Sequence, residues 1–469
     1  MADPEAPTPR EISDEAQTGW RRKWPQVTLF SAVGLILLAA GIAWTYTVHF
    51  RKFPPDVADR AALAWPLPEV PSVVVLPIAS VSTVDRDILL AGRLSDDLTD
   101  LLARVPGLFV ISPETSGRLA GGQFRIKATA EALGTRYLLS GTVSRVSAGK
   151  IYRVFLHVID AFNGEKEWVD SFDIEPDRLF EVYAKALPEI LDALDLDLDD
   201  DAVTELAALG PGVPAAWIDY AEAVAYRVTE DRQSMADSLA KLKRAHAADP
   251  GWAAPAREIA WSYLHLARRG WTDATFPTTE DLLREGLRHA DALTERDPKD
   301  PFGPARKAAL LAESGGETEK TLALWREAAR LGPNTFAIQW ELAQVLIRAE
   351  RYTEALPVMK RALRVHPRHP VALTQALAEL EFAAGNPEVA FAALEAVIEK
   401  RPAAEDPRLM RMVLLANMGR VSEAEAEAKT FLALHGDFGF STWQSRQVRR
   451  GRPGREAWRD TLIGLGIPD

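Results

Sequence analysis

The stretch LAQVLIRAERYTEALPVMKRALRVHP, Leu342 to Pro367, decides how most of this chain folds. Leu342, Ala343 and Leu346 lie on one face of a first helix, Tyr352, Ala355, Met359 and Ala362 on one face of a second, and Pro367 ends the unit. That proline belongs to a series, Pro298, Pro333, Pro367 and Pro402, spaced by 35, 34 and 35 residues. A beat of this length marks stacked helix–turn–helix units. One such unit cannot bury its own apolar faces, so several must pile into a superhelix with a long inner wall.

The neighbouring units keep the same phase. The third has Ala308, Ala309, Thr321, Trp325, Ala328 and Pro333, and the fifth has Leu377, Ala378, Gly385, Ala390, Leu394 and Pro402. A first unit closes at Asp249-Pro250. The second opens with Ile259, Ala260 and Tyr263 and carries an insertion, Gly270 to Glu280. A sixth keeps Leu415, Gly419 and Ala424 but lacks the closing proline. Small residues where helices touch, large ones in the holes between and a terminal proline resemble the tetratricopeptide repeat family, over residues 213–435. The segment 436–469 is expected to cap the last exposed face with a helix near Trp458–Leu465. The arginines between 446 and 455 suit a solvated surface.

In that family the first helix of each unit lines the inner wall. The resemblance places Arg227, Arg257, Trp261, Leu264, Arg306, Trp340, Gln344, Gln375, Glu379 and Phe382 there. The Lys/Asn pattern that grips a peptide's terminal carboxylate in some members is missing. Aromatics beside arginines suit a peptide with apolar anchors and some negative charge. The competing expectation is that Trp261 and Trp340 only pack between neighbouring helices.

At 469 residues the chain is too long for one core. Its net charge of −12 argues against wholesale nucleic-acid binding, which needs a basic footprint. It has no cysteine, which excludes disulfides and thiolate chemistry. From Val27 to Val48 no residue is charged, and the run is long enough to cross ~30 Å of hydrocarbon. Trp24, Trp44 and Tyr46 stand at its ends, and Arg21, Arg22 and Lys23 outnumber Arg51 and Lys52, so the N-terminus is expected in the cytoplasm. A cleaved leader, cut near Gly41 and Ala43, is the competing reading; the acidic residues of the leader disfavour it. The expectation is a single-pass protein of a bacterial inner membrane. Residues 1–26 would form a disordered cytoplasmic tail, 27–48 a transmembrane helix in the lipid bilayer, and 49–71 a stiff proline-rich spacer.

Residues 72–200 change character. Val73-Val74-Val75-Leu76 reads as a buried strand, Arg86 to Ala103 as a helix, Leu108–Ile111 as a second strand, and Ala128–Leu133 as a short helix closed by Gly134. Strands follow at about 136–145, 151–160 and 165–172, the last two joined through Asn163-Gly164, a two-residue hairpin signal. The order predicts a mixed sheet with helices on one face. The stretches VVVLPI (73–78), GRLSDDLTDLLARVPGLFVIS (92–112), AEALGTRYLLSGTVSR (130–145) and VIDAFNGEKEWVDSFD (158–173) resemble the TolB amino-terminal-like domain. That resemblance implies a module placed before tetratricopeptide repeats and commonly after a cyclase or winged-helix domain. The residues ahead of the apolar run are too few for either. The loop Ala79–Ser82 departs from the Asn/Gly-rich turn usual in the family.

The fold expected is therefore multi-domain: one N-terminal transmembrane helix, an α/β mixed-sheet domain and an all-α superhelical solenoid. No motif for phosphate binding, a nucleophile elbow or a zinc protease is present. Asp195, Asp197 and Asp199 open like a calcium loop, but Asp200 and Leu206 stand where glycine and glutamate belong. His366 and His369 lack nearby carboxylates in the sequence. Asp96 and Asp97 beside Arg93 read as an ordinary polar helix face. No catalytic residue, metal or cofactor is expected. The leading expectation is a membrane-anchored, periplasmic protein-binding scaffold or sensor. The alternative is a signalling module acting in trans on a separate cyclase or transcription regulator.

Overall fold

Three consecutive valines cannot alternate between core and water, so the strand Ser72–Val75 (β1) needs cover on both faces, and it has it. The computed structural model describes residues 56–119, 125–146, 150–226, 231–316, 318–449 and 456–469. The tail 1–26, the apolar run 27–48, the start of the proline-rich segment and Arg227 lie outside the described residues. Among the described residues no helix is long and apolar enough to cross a membrane.

β1 pairs in parallel with β3 (Phe109–Val110) and β4 (Tyr137–Val146), and a short β2 (Ala79–Ser80) also runs parallel to β4. β5 (Ile151–Asp160) and β6 (Lys166–Ile174) continue antiparallel, giving the mixed order β3-β1-β4-β5-β6. On the first face Val73, Val75, Tyr137, Leu139, Tyr152, Val154, Leu156 and Val158 meet the leucines of α1 (Asp85–Ala103) and of α4 (Val182–Ala193). On the opposite face Val74, Leu76, Phe109 and Leu138 meet Ala130 and Leu133 of α3 (Ile126–Leu133). Helices therefore cover both faces, not one as expected; α2 (Pro113–Ser116) lies between β3 and α3 in the chain.

The β5–β6 connection also differs from a two-residue turn. Of Asn163 and Gly164 only the glycine has a positive φ, 75°. The loop spans 161–165, with Asn163 Oδ1 accepting from Glu165 N at 2.7 Å. An asparagine that ties down its own next amide but one needs no left-handed backbone. Gly134 does cap α3 in the left-handed region, at φ 62°. A Cβ there would lie 2.4 Å from the carbonyl oxygen of Trp65.

That contact shows where the proline-rich segment goes. From Ala58 to Pro71 it lies along the sheet domain: Ala58 N donates to Ala161 O at 2.7 Å, Ala64 N to Glu131 O at 2.8 Å, and Phe109 N to Pro71 O at 2.9 Å. It does not stand free as a spacer, because Ala58 has an apolar pocket to fill and the backbone has partners.

Beyond α5 (Asp200–Ala207) the described chain forms six tetratricopeptide-like hairpins. They are α6 and α7 (Pro214–Tyr226, Arg232–Ala248), α8 and α9 (Ala253–Arg268, Thr279–Arg296), α10 and α11 (Phe302–Gly315, Glu319–Leu331), α12 and α13 (Phe336–Arg348, Tyr352–Val365), α14 and α15 (Val371–Ala383, Pro387–Lys400), and α16 and α17 (Glu405–Asn417, Val421–Leu434). Ala343, Leu346, Ala355, Met359 and Ala362 of the fourth hairpin have no exposed surface, as close helix crossings require. The last hairpin closes on an aromatic plug. Trp443 of α18 (Phe440–Arg449) and Trp458 stack at 6.3 Å, with Leu462 of α19 (Arg459–Gly464), over Leu409, Met410 and Val413.

Sheet and repeats are one body: the residues from Ala58 to Asp469 form a single compact unit, and one apolar cluster runs from Val73 to Leu380. Within the sheet domain an ion pair with a buried carboxylate fixes α1. Asp87, 1% exposed, accepts from Arg145 at 2.5 and 2.6 Å and from the Tyr152 hydroxyl. The Arg145 guanidinium holds Asp87 well below the usual carboxylate range, against the effect of burial. This stabilisation is complete above the ordinary carboxyl value of 3.8 and falls away as the pH drops below it. Asp87→Ala should cost about 2–3 kcal/mol, and urea melts between pH 7 and 3 should show wild type losing its advantage over the variant below about pH 4.

Candidate functional site

Charged groups at positions 93, 97, 100 and 104 fall every three to four residues, so all four line one face of α1. This face meets the repeats. Arg93, 8% exposed, pairs with Asp97 at 2.7 Å and lies 5.4 Å from the Tyr220 ring of α6. Asp97 also accepts from Trp217 Nε1 at 2.9 Å and from the Tyr183 hydroxyl. One turn on, Asp100 approaches Arg257 of α8 at 3.4 Å, and Arg257 bonds Asp300 at 2.8 Å. Arg104 reaches Asp297 at 2.6 Å. Burial raises Asp300, but Arg257 and Arg104 overcome it and hold this carboxylate below its ordinary value.

Asp100 differs from its neighbours. Burial pushes it up to about 6 against the pull of Arg257 and Arg93, although 45% of its side chain still meets water. It borders a cleft of about 40 Å³ with Tyr220, Trp252 and Arg257, room for about two or three waters. The cleft opens in the seam between two packed layers.

The seam continues along the edge where repeats turn. Asn334 Nδ2 donates to Leu108 O at 2.9 Å, and Ser112 N to Val365 O at 2.8 Å. Arg364 lies over the Phe109 ring at 4.4 Å and donates to Gly134 O at 2.7 Å, capping α3. Buried His366, set down to about 4 by burial and by Arg118, holds Thr115 Oγ1 at 2.6 Å and lies 4.7 Å from the Phe336 ring.

The residues expected on the inner wall part company. Arg257 is engaged inside the seam and Leu264 is core, 3% exposed. Arg306 lies half-buried, 5.0 Å from the Phe302 ring that Arg257 approaches from another side at 4.5 Å. Trp261 tilts on His265 at 3.7 Å, and Trp340 stacks on Phe336 at 6.3 Å. Trp261, Trp340, Gln344, Gln375, Glu379 and Phe382 are each half-buried on the first helix of a hairpin. Gln375 donates to Glu379 at 3.2 Å along α14. Trp261 and Trp340 also pack on the main core, so each tryptophan is only partly open to solvent.

Two further expectations resolve locally. Asp195 accepts from the Tyr137 hydroxyl at 2.7 Å, and Asp199 caps α5 by accepting from Ala202 N at 2.7 Å, so the acidic stretch is partly structural. Among the described residues no group of three or more His, Cys, Asp or Glu could hold a metal ion.

No family model matches the chain. A curated relative, "Putative adenylate cyclase 3" of Rhizobium meliloti (strain 1021), is 27% identical over 261 residues, which cover 55% of this chain and 43% of that protein. The match thus spans less than half of that relative's length. Among solved structures, the tetratricopeptide protein YrrB, described as having an unusual peptide-binding site, is 17% identical over 42% of this chain and 93% of its own, with a TM-score of 0.35. The thermophilic tetratricopeptide protein TTC0263 of Thermus thermophilus is 18% identical over 43% of this chain and 100% of its own, with a TM-score of 0.31. MamA of Desulfovibrio magneticus RS-1 is 16% identical over 38% of this chain and 94% of its own, also with a TM-score of 0.31. Likenesses this weak add nothing to what the six hairpins display themselves.

The seam is open to a direct contrast. Asp97→Ala strips three donors of their acceptor and should cost about 3 kcal/mol in urea melts followed by tryptophan fluorescence. Asp96→Ala, at a side chain 51% exposed, should change stability by less than about 0.5 kcal/mol.

Proposed function

We propose that this chain is a membrane-anchored scaffold that holds an extended protein or peptide against the first helices of its repeats. The observation that carries this reading is the half-buried row Trp340, Gln344, Gln375, Glu379 and Phe382 on α12 and α14. Trp340 and Phe382 would serve as apolar anchors, and the amides and Glu379 would bond the partner's backbone. Trp261 and Arg306 extend the row toward the sheet domain, and Arg227 would join it at the first hairpin. Arg257 drops out, because Asp300 already holds it.

The uncharged run Val27–Val48 supplies the anchor in this reading, and the basic flank ahead of it puts the sheet domain and repeats on the periplasmic side. The module that braces the repeats would be a TolB-like domain, on the residue stretches that resemble it. In this reading the partner is a protein and not nucleic acid, since a net charge of −12 offers no overall basic footprint.

A tagged full-length protein should co-purify a partner from native membranes, and the double variant Trp340→Ala, Phe382→Ala should recover it about tenfold less or worse under conditions where its melting curve shows it still folded. Equal recovery would refute the groove. C-terminal reporter fusions active only in the cytoplasm would refute the topology.

A second reading has one observation behind it: the stretch shared with a relative named a putative adenylate cyclase. On that reading the repeats dock a separate cyclase or transcription regulator in trans. Deleting the gene should then shift cyclic-nucleotide levels; unchanged levels would remove the cyclase form of this reading.

A further inference from the structure

The apolar core of the repeats is not continuous. One cluster extends from the sheet to Leu380, and a second starts at Ala378 and runs through Leu394, Leu409, Met412 and Phe431 to the Trp443–Trp458 plug. The division falls inside α14, two residues apart on one helix. Three helices of equal length, 13 residues each, make the comparison clean: α12 buries six residues, α16 buries eight, and α14 only Ala378, Leu380 and Glu381. One of those three is a carboxylate, tied to Lys360 Nζ at 2.7 Å and Asn386 Nδ2 at 2.8 Å. Leu380 is the large apolar side chain of α14 that is fully buried; Leu373, Leu377 and Phe382 stay half-buried. The helix is held to the first cluster by Leu380 with Leu373, Ala376 and Leu377, and to the second by Ala378 and Phe382, with a polar stitch at Glu381. Fewer of its side chains are fully enclosed than in α12 or α16.

Among the described residues the bracing ends near the same place. Contacts from the sheet domain climb the turn edge through Asp297, Asn334, Arg364 and His366, and reach His369 through the Trp65 ring at 6.3 Å. Then comes His366-Pro367-Arg368-His369-Pro370, and α14 follows at once. A solenoid bends by summing small rotations between neighbours, and a rigid body bonded along several units removes that freedom from them. What is left to bend is the first unit past the brace.

We infer that α14 is a hinge between two rigid bodies, one made of the sheet domain with the first four hairpins, the other of the sixth hairpin with its aromatic plug. Its consequence, which rests on the groove reading, is that bending alters the spacing between Trp340 and Gln344 on one side and Gln375, Glu379 and Phe382 on the other. A partner laid across both would draw them together and stiffen α14.

The absence of cysteine makes the hinge measurable by paired spin labels in the full chain without a partner. Lys320→Cys with Glu425→Cys spans α14, and Lys185→Cys with Lys320→Cys lies within the braced body; all three sites are exposed. The spanning pair should give a distance distribution about twice as broad as the control pair. Amides of α14 and α15 should exchange faster than those of α12, α13, α16 and α17. Equal widths, or α14 protected as well as α12, would overturn the hinge. Because neither measurement requires a ligand, these results stand apart from success or failure in capturing one.

Discussion

A two-helix unit has an apolar face left over at each end of any stack, and that surplus organises this molecule. Here the two ends are closed by different means. At the first hairpin the sheet domain serves as the missing neighbour: Trp217 has no exposed surface, lies 6.1 Å from the Phe180 ring, and places its indole N–H on Asp97 of α1. At the last hairpin the chain folds its own tail back, and Trp443, Trp458 and Leu462 cover Leu409 and Val413. The sheet domain is therefore a structural cap of the repeats as well as a domain in its own right. This is why one apolar cluster runs through both and why they form one compact unit.

A cap of this kind must be polar as well as apolar. Layers that meet along the turn edge of a solenoid meet helix ends, where carbonyls and amides lack intrahelical partners. Asn334, Arg364 and Asp300 serve those groups: the first donates to Leu108 O, the second to Gly134 O, and the third accepts from Phe302 N at 2.8 Å while holding Arg257. Burying arginines costs desolvation, visible in Arg364 brought down to about 10, and carbonyl partners together with the Phe109 ring offset it. An edge satisfied residue by residue fixes one register of sheet against repeats, which apolar contact alone would leave slippery.

The repeats were legible because their signal is redundant. Ala343, Ala355 and Ala362 recur in phase with a proline every 34 or 35 residues, and close crossings tolerate little else. The parallel strands were legible from the uninterrupted apolar run at Val73, and the middle strand from alternation at Tyr152, Val154, Leu156 and Val158. What could not be read was the meeting of domains. Arg93, Asp97, Asp100 and Arg104 look like a solvated helix face because charge is usually exposed, and their partners Trp217, Arg257 and Asp297 lie more than a hundred residues away. One signal was present: a charged stripe at helical spacing running beside the apolar stripe Leu90, Leu94, Leu98 and Leu101, so both faces of α1 had claims on a neighbour. The same blindness put Arg257 on an open wall. A position in a repeat tells which way a side chain leaves its helix, not what another domain brings to meet it.

That separation of signals bears on how such a protein can be altered. Substitutions in the hairpins beyond the sheet domain's reach act locally, through their neighbours in the stack. Substitutions on α1 act on the first hairpins together, because Asp97, Asp100 and Arg104 are bonded to α6, α8 and the turn before α10 in succession. Stiffness is thus set with the help of the sheet domain for the hairpins it touches, and by contacts within and between hairpins for those beyond. The half-buried side chains of α12 and α14 straddle that boundary. A surface that must grip an extended partner benefits from such a division: a fixed side supplies pre-organised anchors at little ordering cost, and a yielding side adapts to what is laid across it.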